Sequence, residues 1–415
     1  MNNLVTQTIP TTEEDWQHRI WDAMDAFSPG TPIDDINLLA GRKKQIEKLM
    51  NVVMQKGQHA ILYGERGTGK SSLSNTFATK LLTGARSLSF IHVNCDPSDD
   101  FSSAWRKIFK RIQNEGTKVC DKYPAEIYPD DVLTELSEFS LNTIPIIIFD
   151  EFNELRDSKA RNLIANTIKN LSDRAIRATV ILVGVADSVS DLIDEHESVM
   201  RCVRQVPMHR LFPSELRHII ESRLPSLGMT IQHNALAYIV ALSRGLPHYT
   251  HLFGQQAAKK ALERKSLTIE IEHIESAIPH CIEDTDQSVR EQYHAATISP
   301  RPKNIYKEVL LAAAVAQVDD LGYFSPAALQ NPLSTLLKKP IKVSLFGQHM
   351  KNLCEADYGS ILEYTGSERR FKYRFKEPMM QPFILMNGRA NGLVTQEQIN
   401  ELASSYYEPK LSIDF

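Results

Sequence analysis

Residues 60–71 read Ala60-Ile61-Leu62-Tyr63-Gly64-Glu65-Arg66-Gly67-Thr68-Gly69-Lys70-Ser71. The last eight fit G-x-x-x-x-G-K-[ST], the pattern of a phosphate-cradling glycine loop. The context suits the chemistry. Ala60–Tyr63 is a short apolar run, as a buried parallel strand should be. Leu73, Phe77 and Leu81 then recur every fourth residue on one face of a helix. Loop N–H groups and the helix N-terminus would hold a β-phosphate. Lys70 would reach the β- and γ-phosphates, and Ser71 would ligate Mg²⁺. The whole stretch from Gly64, Glu65, Arg66, Gly67, Thr68, Gly69 and Lys70 through Ser71 and Ser72 is expected to line ATP.

A second stretch supports the first. Pro145-Ile146-Ile147-Ile148-Phe149-Asp150-Glu151 is an apolar strand ending in two carboxylates. Asp150 is placed to hold Mg²⁺, and Glu151 to polarise an attacking water. Transfer to a small acceptor would not need a base for water, so the second acid favours hydrolysis.

Composition sets the outer limits. The chain has 415 residues, 42% hydrophobic and 24% charged, with a net charge of −4. That length allows two or three globular domains. A mildly acidic balance does not advertise nucleic-acid binding, so any DNA site must be a local patch. No apolar stretch approaches the ~20 residues of a membrane span. Met1-Asn2-Asn3-Leu4 lacks the basic-then-apolar pattern of a secretion signal. Cys95, Cys120, Cys202, Cys281 and Cys354 are scattered without a C-x-x-C pair. They read as reduced thiols of a cytoplasmic protein without structural zinc.

Hydrophobic patterning divides the chain. Residues 1–35 read as an N-terminal arm, with a short amphipathic helix over Glu13–Phe27 packing on the core. Residues 36–210 alternate strand and helix, which predicts an α/β nucleotide-binding domain with a parallel sheet. Its strands are placed at Ala60–Tyr63, Phe90–Asn94, Ile146–Asp150, Thr179–Val185 and Cys202–Met208. Residues 211–280 read as an α-helical lid and 281–303 as a polar linker. Residues 304–388 show three helices and then a hairpin, a winged-helix pattern, and 389–415 read as a C-terminal tail.

In this order the pieces resemble the AAA+ ATPases of the origin-recognition and initiator clade, and the neighbouring STAND signalling ATPases. Leu39-Ala40-Gly41-Arg42, followed by Ile46 and Leu49, is similar to the clade's leading segment, which places Arg42 beside the adenine. The resemblance makes Asn94, in Val93-Asn94-Cys95, the polar switch that contacts the catalytic Glu151. It puts sensor 1 after Gly184-Val185-Ala186, at Asp187 or Ser188. It assigns Arg201, in Val199-Met200-Arg201, as an arginine finger reaching a neighbouring subunit, with Arg204 as the alternative. Gly245-Leu246-Pro247-His248 matches the STAND G-x-P motif, whose proline touches nucleotide. His248 then stands near the place of the initiators' sensor 2 arginine. His248 and His251 are three apart, but with no third ligand in sight a solvated or core pair is the plainer reading.

Near the C-terminus, Arg370-Phe371-Lys372-Tyr373-Arg374-Phe375-Lys376 alternates strictly. In a strand, Arg370, Lys372, Arg374 and Lys376 share one face and the aromatics the other. Such a wing could contact DNA phosphates. It could equally be a solvated face on a packing module. Two functions follow. One is a Mg²⁺-dependent ATPase whose nucleotide state controls homo-oligomer formation and association with duplex DNA. The other is a STAND-like switch, as in prokaryotic antiviral defence, acting through a separate effector protein.

Overall fold

The structure is a computed structural model. It describes residues 10–31, 39–81, 88–114, 116–139, 143–186, 197–298, 304–319, 322–367 and 370–404. These form two compact units. The first takes the described residues within 32–65 and 69–209, and the second those within 1–31, 66–68 and 210–415. Among the described residues no helix is long and apolar enough to cross a membrane.

The first unit is built on a five-stranded sheet. Its strands are β1 (His59–Gly64), β2 (Leu88–Asn94), β3 (Ile144–Asp150), β4 (Thr179–Val185) and β5 (Val203–Pro207). They lie in the order β2-β3-β4-β1-β5, and every pairing is parallel. The apolar runs are explained by burial on both faces. Ile61, Ile147, Phe149 and Leu182 face one layer with Trp105, Ile164 and Leu171. Ala60, Leu62, Ile146, Ile148 and Val183 face the other, with Leu49, Leu73 and Phe77. Period-two alternation thus sorts one strand into two cores.

Parallel pairing brings Gly64, Asn94, Asp150 and Val185 to the same edge of the sheet. In open α/β sheets that carboxyl edge is where ligands bind. At the opposite end, the buried His59 accepts the Val180 N–H on Nδ1 at 3.0 Å.

The second unit is helical. Its first helix, Glu13–Ala26, is capped by Thr12 and Asp15 in a reciprocal capping box and buries Trp16, Ile20 and Ala23. The reciprocal bonds satisfy donors that a helix start leaves open. Helices Pro213–Glu221, His233–Ser243, Pro247–Glu263 and Ile271–Glu283 follow. Tyr306–Val315, Gln330–Leu337 and Val343–Asn352 then lead into an antiparallel pair, β6 (Leu362–Thr365) and β7 (Lys372–Phe375). This is the winged-helix arrangement. Phe324 bridges to Tyr373 beside it.

Two sequence expectations change here. The helices of residues 211–280 share one continuous core with residues 304–388, through Tyr238, Phe253, Leu310, Phe346 and Phe383. The lid is therefore not set off as a unit of its own. The polar linker of 281–303 contains a helix, Gln287–Thr297, that buries Val289, Tyr293 and Ala296. Their i, i+4, i+7 spacing is one helical stripe, diluted by polar neighbours.

All five cysteines are free thiols, and only Cys354 is half-exposed. Burial pushes the Cys95 thiol up to about 12 and Cys354 up to about 11. The same cause raises Cys120, Cys202 and Cys281.

Candidate nucleotide site

The glycine loop leaves β1 at Gly64 and enters the helix Lys70–Leu81. Gly64 has φ +152°, and a Cβ there would lie 2.4 Å from the Met208 carbonyl oxygen. Only glycine fits that backbone and that neighbour. Gly67 and Gly69 also take positive φ. The Lys70 ammonium donates to the carbonyls of Gly64 at 3.0 Å and Glu65 at 2.8 Å. Its charge is thereby held over the loop. Ser71 and Ser72 open the helix behind it. Thr68 is buried, and Arg66, in the second unit, pairs with Glu377 at 3.1 Å.

β3 delivers Asp150 to the same edge. Ser71 acts on the Asp150 carboxyl to lower its pKa. Glu151 donates its backbone N–H to Asp150 Oδ1 at 2.9 Å, and His92 Nε2 lies 3.3 Å from Asp150 Oδ2. Burial pulls the Asp150 pKa up, but the bonds from His92, the Glu151 backbone and Ser71 outweigh it, and the carboxyl stays below its ordinary value. An ionised carboxylate beside a hydroxyl is a set of hard oxygen donors, which fits Mg²⁺.

Glu151 turns out of β3 in the left-handed region at φ 53° and is exposed. Asn94 ends β2 in register with Asp150, also exposed, and its carbonyl accepts from Lys107 at 3.0 Å. Asn94, Asp150 and Glu151 thus lie at the sheet edge from which the glycine loop departs.

Residues 53–193 match a family model described as an AAA domain. The ORC1-type DNA replication protein 2 of Thermoplasma acidophilum is 26% identical over 293 residues, 66% of this chain and 68% of that protein. Residues 53–193 thus match an AAA domain, and the chain is similar to initiator-type AAA+ ATPases. Its fold is similar to that of the Aeropyrum pernix ORC2 protein, with a TM-score of 0.51 at 14% identity, covering 92% of this chain and 97% of that one. A Walker-type ATPase of Pyrococcus abyssi gives 0.53 at 16% identity, covering 86% and 99%.

The remaining candidate site residues are less concentrated. Arg42 is buried, and its Nη2 donates to the His209 carbonyl at 2.9 Å. Arg201 and Arg204 are both exposed, just before and on β5. Asp187 and Ser188 lie outside the described residues. In the second unit, Pro247 opens the helix Pro247–Glu263. His248 Nδ1 lies 2.7 Å from the Pro29 carbonyl, and His251 Nδ1 accepts the Ser28 N–H at 3.2 Å. Both histidines hold the backbone that follows the first helix. Gln255 adds bonds to the carbonyls of Met24 and Phe27, each 2.8 Å.

The wing departs from the free cationic face that alternation suggested. Lys372 pairs with Asp319 at 2.7 Å. Arg374 pairs with Glu363 and stacks 4.6 Å over Tyr323. Lys376 donates to the Ser360 hydroxyl, and Arg370 is exposed ahead of β7. Tyr373 and Phe375 are buried on the other face, as expected.

Two site residues escaped the sequence reading. His92 stands two residues before Asn94, hence on the same face of β2. Ile148 and Asp150 are their register partners on β3. That face alternation was the available signal. Asn153, the other, accepts the Val185 N–H on Oδ1 at 2.8 Å.

Proposed function

We propose that this protein is an AAA+ ATPase that binds and hydrolyses ATP with Mg²⁺, and that its nucleotide state controls self-association and association with duplex DNA. The parallel register that sets Gly64, where the glycine loop begins, and Asp150 at one sheet edge carries the reading. It joins the glycine loop to the acidic strand end at one point, as phosphate and cation binding require.

Bound Mg²⁺ would neutralise charge developing on the phosphates. The chain's own residues do the rest. The loop N–H groups and Lys70 hold the phosphate oxygens in place. Glu151, exposed at the mouth of the sheet edge, orients water and accepts its proton. Arg201 is exposed and therefore able to serve a second subunit, where its guanidinium would stabilise transition-state charge.

ATP turnover measured with and without duplex DNA, at several salt concentrations, tests the reading. Lys70→Ala should abolish nucleotide binding or turnover, and Glu151→Gln should retain ATP but stop turnover. Equal turnover by wild type and Glu151→Gln would remove Glu151 from the mechanism. A second reading, a signalling switch acting through a separate effector, is favoured by one observation. Lys372 and Arg374 already hold acidic partners in the wing. ATP-dependent assembly with no duplex binding at low salt would select it.

A further inference from the structure

Asp150 carries the cation in the reading above, yet a strand-end aspartate is not rigid by itself. The last torsion of an aspartate is broad and roughly two-fold, so an unrestrained carboxylate samples many orientations. Here each oxygen has its own partner. The Glu151 N–H fixes Oδ1 at 2.9 Å, and His92 Nε2 lies against Oδ2 at 3.3 Å. The Asp150 side chain is 6% exposed and that of His92 23%. The contact is therefore shielded from water on the carboxylate side. β2 and β3 set the approach, because Asn94 pairs with Asp150 and His92 with Ile148, one pleat back. A strand neighbour on the same face can reach forward to the carboxylate.

We propose that His92 is a positioning residue, whose Nε2–H holds Asp150 Oδ2 so that the carboxylate is oriented for Mg²⁺ before nucleotide arrives. The inference rests on Asp150 being a Mg²⁺ ligand. His92 itself touches neither the cation nor the nucleotide. Partners of this kind commonly change metal affinity by ~10–100-fold when removed.

The test is calorimetric binding of ADP to the full chain, in EDTA and across a series of Mg²⁺ concentrations. His92→Leu fills the space without a donor, and His92→Gln restores an N–H. Thermal melts establish that each variant is folded, and His92→Ala replaces His92→Leu if the latter is not. The donorless variant should need ~10-fold or more Mg²⁺ to reach the half-point of the metal effect. Its ADP affinity in EDTA should match wild type, and His92→Gln should recover most of the shift. A donorless variant with the wild-type Mg²⁺ half-point overturns the role of His92 and leaves the nucleotide site standing. A wild type whose ADP binding ignores Mg²⁺ overturns the cation reading of Asp150, and this inference with it.

Discussion

Asn153 Oδ1 accepts the backbone N–H of Val185 at 2.8 Å, tying the turn after Glu151 to the end of β4. The same turn is closed by the Glu154 N–H on the Glu151 carbonyl, also 2.8 Å. One side chain therefore links the acidic turn to a second strand end on the same sheet edge. Asn153→Ala should cost about 0.5–1.5 kcal/mol of stability, the net worth of one such bond. Because the bond lies beside Glu151 and not on the phosphate loop, single-turnover hydrolysis should slow while ADP affinity holds. Unchanged hydrolysis with lowered stability would make Asn153 a purely structural tether.

Arg201 should act across subunits. Mixing Arg201→Ala with Glu151→Gln should recover part of the ATP turnover that each lacks. The second variant still offers its guanidinium to the first. Loss of a transition-state arginine commonly costs 10³–10⁵ in rate. Single-turnover hydrolysis that is indifferent to Arg201→Ala would point to Arg204.

The wing pairing alters what salt should do. Four free cations would give a log–log slope for duplex binding near −3.6, at roughly −0.9 per contact. With Lys372 and Arg374 neutralised by Asp319 and Glu363, the expected slope is about half that, near −1.8. Asp319→Asn and Glu363→Gln should then tighten duplex binding and steepen the slope. No change on removing either acid would exclude Lys372 and Arg374 from any DNA contact.

His59 and His251 are buried, and burial lowers each pKa to about 3. An unfolded histidine titrates near 6.5, so between those values the unfolded chain binds more protons. Stability from these groups is full above about pH 6.5 and falls as pH drops toward 3. The loss is at most about 1.4 kcal/mol per pH unit for each histidine. His59→Asn offers an oxygen to the Val180 N–H without titrating. Unfolding free energies measured from pH 7 to pH 4 should fall less steeply for that variant.

The sheet and the phosphate loop were legible because local chemistry dictates them. Stretches such as Ile146–Phe149 are unbroken apolar runs, and Gly64 is imposed by its backbone and by the Met208 carbonyl against it. The candidate site was legible where a motif names the residue, at Lys70, Ser71, Asp150 and Glu151. His92 was not, because its role depends on the register between β2 and β3. The wing's charge balance was equally hidden. Asp319 and Lys372 stand far apart in the chain, and only the fold makes them a pair. Helix Gln287–Thr297 was missed for a third reason: its buried stripe is three residues wide in a polar background.

The thiol inventory has a practical reach. A maleimide attacks the thiolate, and every native cysteine here is disfavoured as thiolate by burial. The unaltered chain should therefore label slowly at neutral pH, with half-exposed Cys354 the first native thiol to check. A single cysteine placed at exposed Ser367, in the turn between β6 and β7, would take a fluorophore almost alone. The wing could then be followed by light, as nucleotide and duplex are added, in a protein that keeps all its own sulfur.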